Sequence, residues 1–387
     1  AIITLFIASV FVFANMYTTQ AILPSLSSDF HVSAPTAGLT ISLLVLSVAI
    51  GSLLYGPLSD VVGRKPVMVA ASFLVAIPTL LCGLAPNFTV LVIMRAIQGF
   101  LMPGLTSVAI PYVNEEFQGK SRGLAMGIYS SGLVLGGLFA RVGSAAINGV
   151  YGWRIAMLTY VVPTLLAALF MWLFLPEKYS KRRPSQHNSF SYTMAIRYIR
   201  QTLRDMWLHL HNRRLVGVYI IGFTSFFGFV GIFTYLPFYL TGPVFRLPDI
   251  ALSLVYLLWL TGAGSPIAGS LAARFGSRLI LAVASSCAIL GLFITLVPIL
   301  PIMLAGLSLL TLGMFSIQPS ANLYLGDLST TAKGTAASMY LSLYYFGGSL
   351  GGVLPGVTYI SAGWIGVVAM CVGMMGIALV ADVTLCR

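Results

Sequence analysis

Apolar stretches of about 20 residues recur along the chain, for example at 66–84, 155–175 and 279–300. Each is long enough to cross the hydrocarbon core of a bilayer as an α-helix. Taken in order, the pattern predicts spans at 1–26, 35–55, 66–86, 90–115, 122–149, 154–175, 214–241, 249–273, 278–298, 302–326, 334–361 and 364–384. Short polar turns separate them, and one long polar segment, 176–213, divides six spans from six. The expected architecture is an all-α polytopic membrane protein: a six-helix bundle over 1–175, a basic linker over 176–213 and a second six-helix bundle over 214–387. Within the linker, Ile196, Ile199, Leu203, Trp207 and Leu210 recur at three- and four-residue steps, which predicts an amphipathic helix. Lying along the membrane surface and packing on the protein itself both fit that pattern.

An internal repeat supports the division. Displacing the sequence by 211 positions brings Gly123 onto Gly334, Tyr129 onto Tyr340, Gly136 and Gly137 onto Gly347 and Gly348, and Gly152-Trp153 onto Gly363-Trp364. Two halves related in this way mark membrane carriers whose solute site lies near the bilayer midplane, between the repeats.

Composition removes the soluble alternative: 58% of residues are hydrophobic and 8% charged, against about 25% charged in a soluble domain. The net charge of +12 raises the question of a nucleic-acid partner, and its placement answers it. Arg64, Lys65, Lys120, Arg122, the run from Lys178 to Arg214, Arg274, Arg278 and Lys333 occupy alternate loops, while the opposite loops carry little beyond Arg154 and Arg246. By the positive-inside rule the basic loops and both chain ends face the cytoplasm. Basicity here encodes topology, with lipid and a small solute as the expected partners and no nucleic acid. The apolar N-terminus continues through Asn15 and Gln20 without a small-residue cleavage site, so it reads as helix 1 preceded by natural start residues, not as a signal peptide. Cys82, Cys287, Cys371 and Cys386 are scattered, which implies neither a disulfide framework nor a metal site. Gly119-Lys120-Ser121 imitates the end of a phosphate-binding loop, but Asn114 stands where the earlier glycine is required, so ATP hydrolysis finds no support and no cofactor is expected.

Between helices 2 and 3 the chain reads Gly56-Pro57-Leu58-Ser59-Asp60-Val61-Val62-Gly63-Arg64-Lys65, with a degenerate copy, Gly269 to Arg278, between helices 8 and 9. This loop resembles the signature loop of the major facilitator superfamily, and the resemblance extends over essentially the whole chain. It implies the fold of that family: twelve transmembrane helices in two pseudo-symmetric bundles. By the same resemblance Gly56, Asp60, Gly63, Arg64 and Lys65 form a conformational latch on the cytoplasmic side. Val61 replaces a base and Ala273 an acid, so one latch is expected, not two; the alternative is a loop that only satisfies topology. Arg95-Ala96-Ile97-Gln98-Gly99 resembles the family's second motif. Arg141 lies at comparable depth in helix 5, and a guanidinium inside a span is a functional candidate because facing lipid is expensive. Pairing with backbone carbonyls is the other reading for each arginine.

Gly132, Gly136 and Gly137, with Gly347 and Gly348 in the second half, are expected to let helices approach closely. The helix 5 glycines also resemble the motif that marks exporters, with Leu138 in place of the usual proline. The surroundings of Tyr17, Gln20, Pro24 and Asp29 resemble the twelve-helix drug:proton antiporter branch. Candidate substrate or coupling residues are Tyr17, Gln20, Arg95, Gln98, Arg141, Tyr235, Tyr239, Gln318, Asn322, Tyr340 and Tyr344. All nine acids fall at span ends or in loops, so a proton gradient as the energy source is implied by the resemblance alone. The expected function is secondary transport of small organic molecules, drug-like or metabolite, across the inner membrane by alternating access, as efflux and as a monomer. A metabolite or organic-anion carrier is the alternative within transport, favoured by two embedded arginines without embedded acids; a non-transporting membrane receptor is the alternative outside it.

Overall fold

A computed structural model describes residues 2–117, 119–176, 204, 206–328 and 333–386. Ten of its helical runs are long and apolar enough to cross a membrane. The first four are α1 (Ile2–Asp29), α2 (Ala34–Val62), α3 (Arg64–Gly83) and α4 (Phe88–Glu116). A continuous run then folds back at Gly152, where φ is 81°, giving α5 (119–151) and α6 (153–174). In the second half lie α7 (Arg213–Thr241), α8 (Asp249–Phe275), α9 (Ser277–Ile294) and α10 (Leu300–Leu328). A further reversal at Gly363, with φ of 60°, separates α11 (333–362) from α12 (364–384). Counting each reversal as two crossings gives the twelve expected from the sequence. The linker helix expected on Ile196, Ile199 and Leu203 lies outside the described residues, and only its last turn, 206–211, is seen as helix, with Trp207 and Leu210 exposed.

The turns follow from residue type. Gly63 (φ 105°) and Gly276 (φ 95°) make the tight α2–α3 and α8–α9 connections, a backbone region that side chains with a Cβ avoid. Each reversal glycine thus has its counterpart in the other half. Ser33 caps α2 by accepting the Thr36 amide at 3.4 Å, and Asn87 caps α4 by accepting the Val90 amide at 2.9 Å.

Packing repeats in the same way. In the first half α1 lies along α5, α2 along α4 and α3 along α6; in the second, α7 lies along α11 and α12, and α9 along α10 and α12. The two groups meet where α2 faces α11 and α5 faces α8. Hydrophobicity cannot drive helices together in lipid, so close backbone approach does much of the work. A Cβ on Gly136 would meet the Val10 carbonyl, and one on Gly347 would meet the Phe223 carbonyl, the equivalent contact in the other bundle. Gly132 faces the Ser9 hydroxyl, and Gly348 the Phe226 ring.

Gly127, by contrast, has nothing within 4 Å of where its Cβ would stand. Gly136→Ala is therefore expected to lower the thermal stability of the purified protein, while Gly127→Ala leaves it unchanged or raises it by up to about 1 kcal/mol through helix propensity. Equal effects of the two substitutions in a thermal unfolding assay would contradict this packing.

Candidate functional site

The site begins with a break in α1. Its α-helix runs from Ile2 to Tyr17, a 3-10 turn follows at Gln20–Ile22, and helix resumes at Leu23–Asp29. A helix that stops leaves its last carbonyls without partners, which in a membrane interior is costly. Arg95, fully buried on α4, supplies them. Its Nη1 donates to the Asn15 carbonyl at 2.6 Å, its Nη2 to that of Met16 at 2.8 Å and its Nε to that of Thr40 on α2 at 3.1 Å. Nη1 also donates to Gln98 Oε1 at 2.6 Å, and Gln98 Nε2 reaches Asn15 Oδ1 at 3.0 Å and Thr79 Oγ1 at 2.8 Å. Asn15 Nδ2 completes the network on Thr164 Oγ1 at 2.9 Å. Arg95 and Gln98, expected to face a cavity or an internal partner, are thus engaged by protein groups inside the first bundle. Both meet α1 at its break, where Arg95 bonds the Asn15 and Met16 carbonyls.

That break presents Tyr17 and Gln20 to the second embedded arginine. Arg141, fully buried on α5, donates from Nε to Gln20 Oε1 at 2.8 Å and from Nη1 to the Gly137 carbonyl at 2.9 Å. Its guanidinium carbon lies 3.8 Å from the centroid of the Tyr17 ring and 3.7 Å from that of Trp259 on α8, with Phe233 and Tyr256 at 5.9 Å. Cation–π contacts of a desolvated guanidinium contribute about 2 kcal/mol, which offsets only part of a burial cost of several kcal/mol. No carboxylate among the described residues pairs with it. Among the described residues, Arg141 Nη2, Trp259 Nε1 and Tyr256 Oη have no hydrogen-bond partner. Tyr17, Gln20 and Arg141 come from the first half, Phe233, Tyr256 and Trp259 from the second, so the stack bridges the two.

Beyond Trp259 lies a small cavity of about 30 Å³ lined by Ser225, Phe226, Phe229, Met314, Phe315, Gln318 and Tyr344. Trp259 packs behind its wall, with ring centroids 5.3 Å from both Phe229 and Phe315. Phe226 and Tyr344 stack at 4.0 Å. The buried Tyr340 lies 6.0 Å from Tyr344, its hydroxyl without a partner among the described residues.

Further hydrogen bonds join the halves on the side away from the basic loops. Gln20 Nε2 donates to Thr234 Oγ1 at 3.1 Å, Ser42 Oγ to the Ser349 carbonyl at 2.6 Å, and Asn148 Nδ2 to Asp249 Oδ2 at 2.7 Å. Tyr235 donates to the Gly352 carbonyl at 2.8 Å, tying a break in α11 against which Gly38 of α2 packs without room for a Cβ. Tyr235 therefore braces this seam and does not line the cavity. Tyr239 stacks on Trp364 at 4.9 Å near the same end, and Asn322 is exposed toward the basic end of α10. At the basic end, Arg64 forms ion pairs with Asp60 and, at 3.0 Å, with Glu115 of α4, all within the first bundle. Gly56 has open space around it, and Lys65 opens α3 beside Arg64.

Sequence reasoning did not single out Glu115, Asn148, Asp249, Tyr256 or Trp259 for the site. One signal was present: Trp259 lies well inside a span, away from the interfaces where membrane tryptophans concentrate. Another was the repeat itself, since Gly352 stands 211 positions after Arg141 and both occupy the seam between the halves.

A family model described as Major Facilitator Superfamily matches residues 5–352. The chain belongs to this superfamily. Among curated relatives of this facilitator protein, the inner membrane transport protein YnfM of Escherichia coli (strain K12) is 34% identical over 386 residues, covering 100% of this chain and 90% of that protein. The uncharacterized MFS-type transporter YybF of Bacillus subtilis (strain 168) is 31% identical over 368 residues, 95% of this chain and 88% of that one. Among solved structures, a bacterial homologue of the human lysosomal transporter Spinster superposes with a TM-score of 0.80 at 17% identity, covering 99% of this chain and 95% of that chain. The facilitator protein is thus an integral membrane transporter of small molecules and not an enzyme.

Removing the Arg95 guanidinium takes a donor from the carbonyls of Asn15 and Met16 at the α1 break, at about 1–3 kcal/mol for a buried group left unsatisfied. Arg95→Ala is accordingly expected to lower thermal stability by several degrees, and Arg95→Lys to recover only part, because lysine lacks the planar fork. An unaltered unfolding temperature for Arg95→Ala would show that the α1 break needs no such support.

Proposed function

We propose that this facilitator protein exports small amphipathic organic molecules across the cytoplasmic membrane by alternating access, with the basic loops and both chain ends in the cytoplasm. The observation that carries the reading is the composition of the central site. Tyr17, Gln20 and Arg141 from one half meet Trp259, Tyr256 and Thr234 from the other, so the site is completed or dismantled as the halves move. The two bundles, 1–175 and 214–387, are the moving bodies, and 176–213 links them.

In this arrangement the halves are joined at the end opposite the basic loops, by Asn148–Asp249 and Ser42–Ser349. The latch arginine, Arg64, meanwhile bonds within its own bundle, to Asp60 and Glu115. That is the expected resting place of a latch that engages the other half only when the cavity faces outward. The direction of transport follows from the resemblance of the α5 glycines to the exporter motif, and a proton gradient as energy source from the resemblance to the drug:proton antiporter branch. Ring-lined walls with a few polar groups suit amphipathic organic solutes.

Reconstitution into sealed liposomes tests this. Saturable flux of small aromatic compounds is expected, faster under an imposed pH gradient, and Asp60→Asn is expected to slow it severalfold while leaving the unfolding temperature near wild type. A folded Asp60→Asn protein working at the wild-type rate would contradict the latch; a compound that binds without crossing would point to a receptor instead.

A further inference from the structure

We infer that the preferred substrate is an organic anion with a flat aromatic body, whose acidic group is bound by Arg141 and Trp259. The inference rests on the transport reading above and names the class of molecule carried. Buried polar groups in proteins are nearly always paired, yet three in one constellation have no partner among the described residues: Arg141 Nη2, Trp259 Nε1 and Tyr256 Oη. The guanidinium and the indole N–H only donate, so whatever completes them accepts hydrogen bonds. Charge narrows the choice. Arg141 is wholly enclosed and meets no carboxylate among the described residues, so an incoming oxyanion satisfies both the open donors and the uncompensated charge. A neutral carbonyl satisfies only the donors. A cation satisfies neither and is repelled.

The body of the ligand is defined by the cavity on the other side of Trp259. Its walls include Phe226, Phe229, Phe315 and Tyr344, and their ring faces favour a flat aromatic system over a branched aliphatic one. Trp259 belongs to the Arg141 stack and touches Phe229 and Phe315 of the cavity wall. A ligand whose ring enters between these walls, as Trp259 turns aside or the halves separate and the small cavity widens, therefore directs an attached acid toward Arg141. Because the stack spans the seam, the acid exchanges one set of inter-half contacts for another, and its binding is coupled to the seam's opening.

The matched probes 2-naphthoate, 2-naphthamide and 2-naphthylmethylammonium share a body and differ in charge. Calorimetric titration of the purified full chain is expected to show naphthoate binding about tenfold or more tighter than the amide, equivalent to about 1.4 kcal/mol, with the ammonium weakest. Arg141→Gln should bring naphthoate and naphthamide close to equal affinity. Trp259→Phe, which keeps a ring against the guanidinium and removes one donor, should weaken naphthoate severalfold; should Arg141→Gln fail to fold, this variant and the wild-type series still decide. Equal or tighter binding of the ammonium, no saturable naphthoate binding to wild type, or a naphthoate-to-naphthamide ratio unchanged in a folded Arg141→Gln protein would each overturn the inference. Flux of the same probes in liposomes separates the two claims. Saturable transport without preference for naphthoate sinks the anion assignment and leaves transport standing, whereas naphthoate that binds with the stated preference and never crosses sustains the assignment and contradicts the proposed transport of it.

Discussion

A full positive charge enclosed between aromatic rings is the constraint around which the centre of this molecule is arranged. Arg141 lies in the second half of α5 at a depth where a guanidinium facing lipid is prohibitive, and it is fully buried. Its surroundings answer each part of that problem. Tyr17 and Trp259 cover its two faces, Gln20 and the Gly137 carbonyl take two of its donors, and Gly137 is bare because a Cβ there would strike Trp259. For Tyr17 and Gln20 to stand where they do, α1 has to break, and for α1 to break, Arg95 has to take up the carbonyls so released. One embedded arginine is thus a brace for the backbone that presents the other.

The repeat makes the asymmetry of the two seams visible. Arg141 and Gly352 are equivalent positions, 211 residues apart. In one seam the position carries a guanidinium meeting an indole from the opposite half. In the other it carries no side chain at all, and α2 comes close enough for Gly38 to lie on the Gly352 carbonyl and Ser42 to bond Ser349. The bundles share a scaffold: Gly136 on Val10 and Gly347 on Phe223, with reversals at Gly152 and Gly363. On it, one seam has become a close backbone contact and the other a site with open donors.

Much of this was legible in the sequence because membrane physics leaves few options. Apolar runs of one length give spans, basic loops alternate with neutral ones, and the glycine pairs and Gly-Trp pairs announce two halves. The arginines were legible as exceptional residues, but not their division of labour, because Arg95 and Arg141 lie at similar depth and only the neighbouring helices decide what each meets. Carbonyls freed by the α1 break cannot be seen in residue letters, and neither can the rotation of α8 that turns Trp259 inward. Tyr235 misled for a related reason: a tyrosine on a cavity-lining helix is equally able to face a neighbouring break, and the open carbonyl of Gly352 drew it there. Glu115, adjacent to Glu116 at the end of α4, gave no sign that it would complete the Arg64 cluster.

The central claim is that two bundles close on each other around Arg141 at the end away from the basic loops, and separate there during transport. Spin labels on Tyr151 of α5 and Ile250 of α8, both exposed and close to the Asn148–Asp249 contact, report that end; labels on Leu124 and Phe275 report the other. Distance distributions between labels in lipid, measured with and without Gly38→Trp to wedge the α2–α11 seam, decide the matter. The account predicts a short distance at the Tyr151–Ile250 end in the unwedged protein, lengthening on wedging as the Leu124–Phe275 distance shortens. Two distances that stay fixed, or that lengthen together, would contradict it.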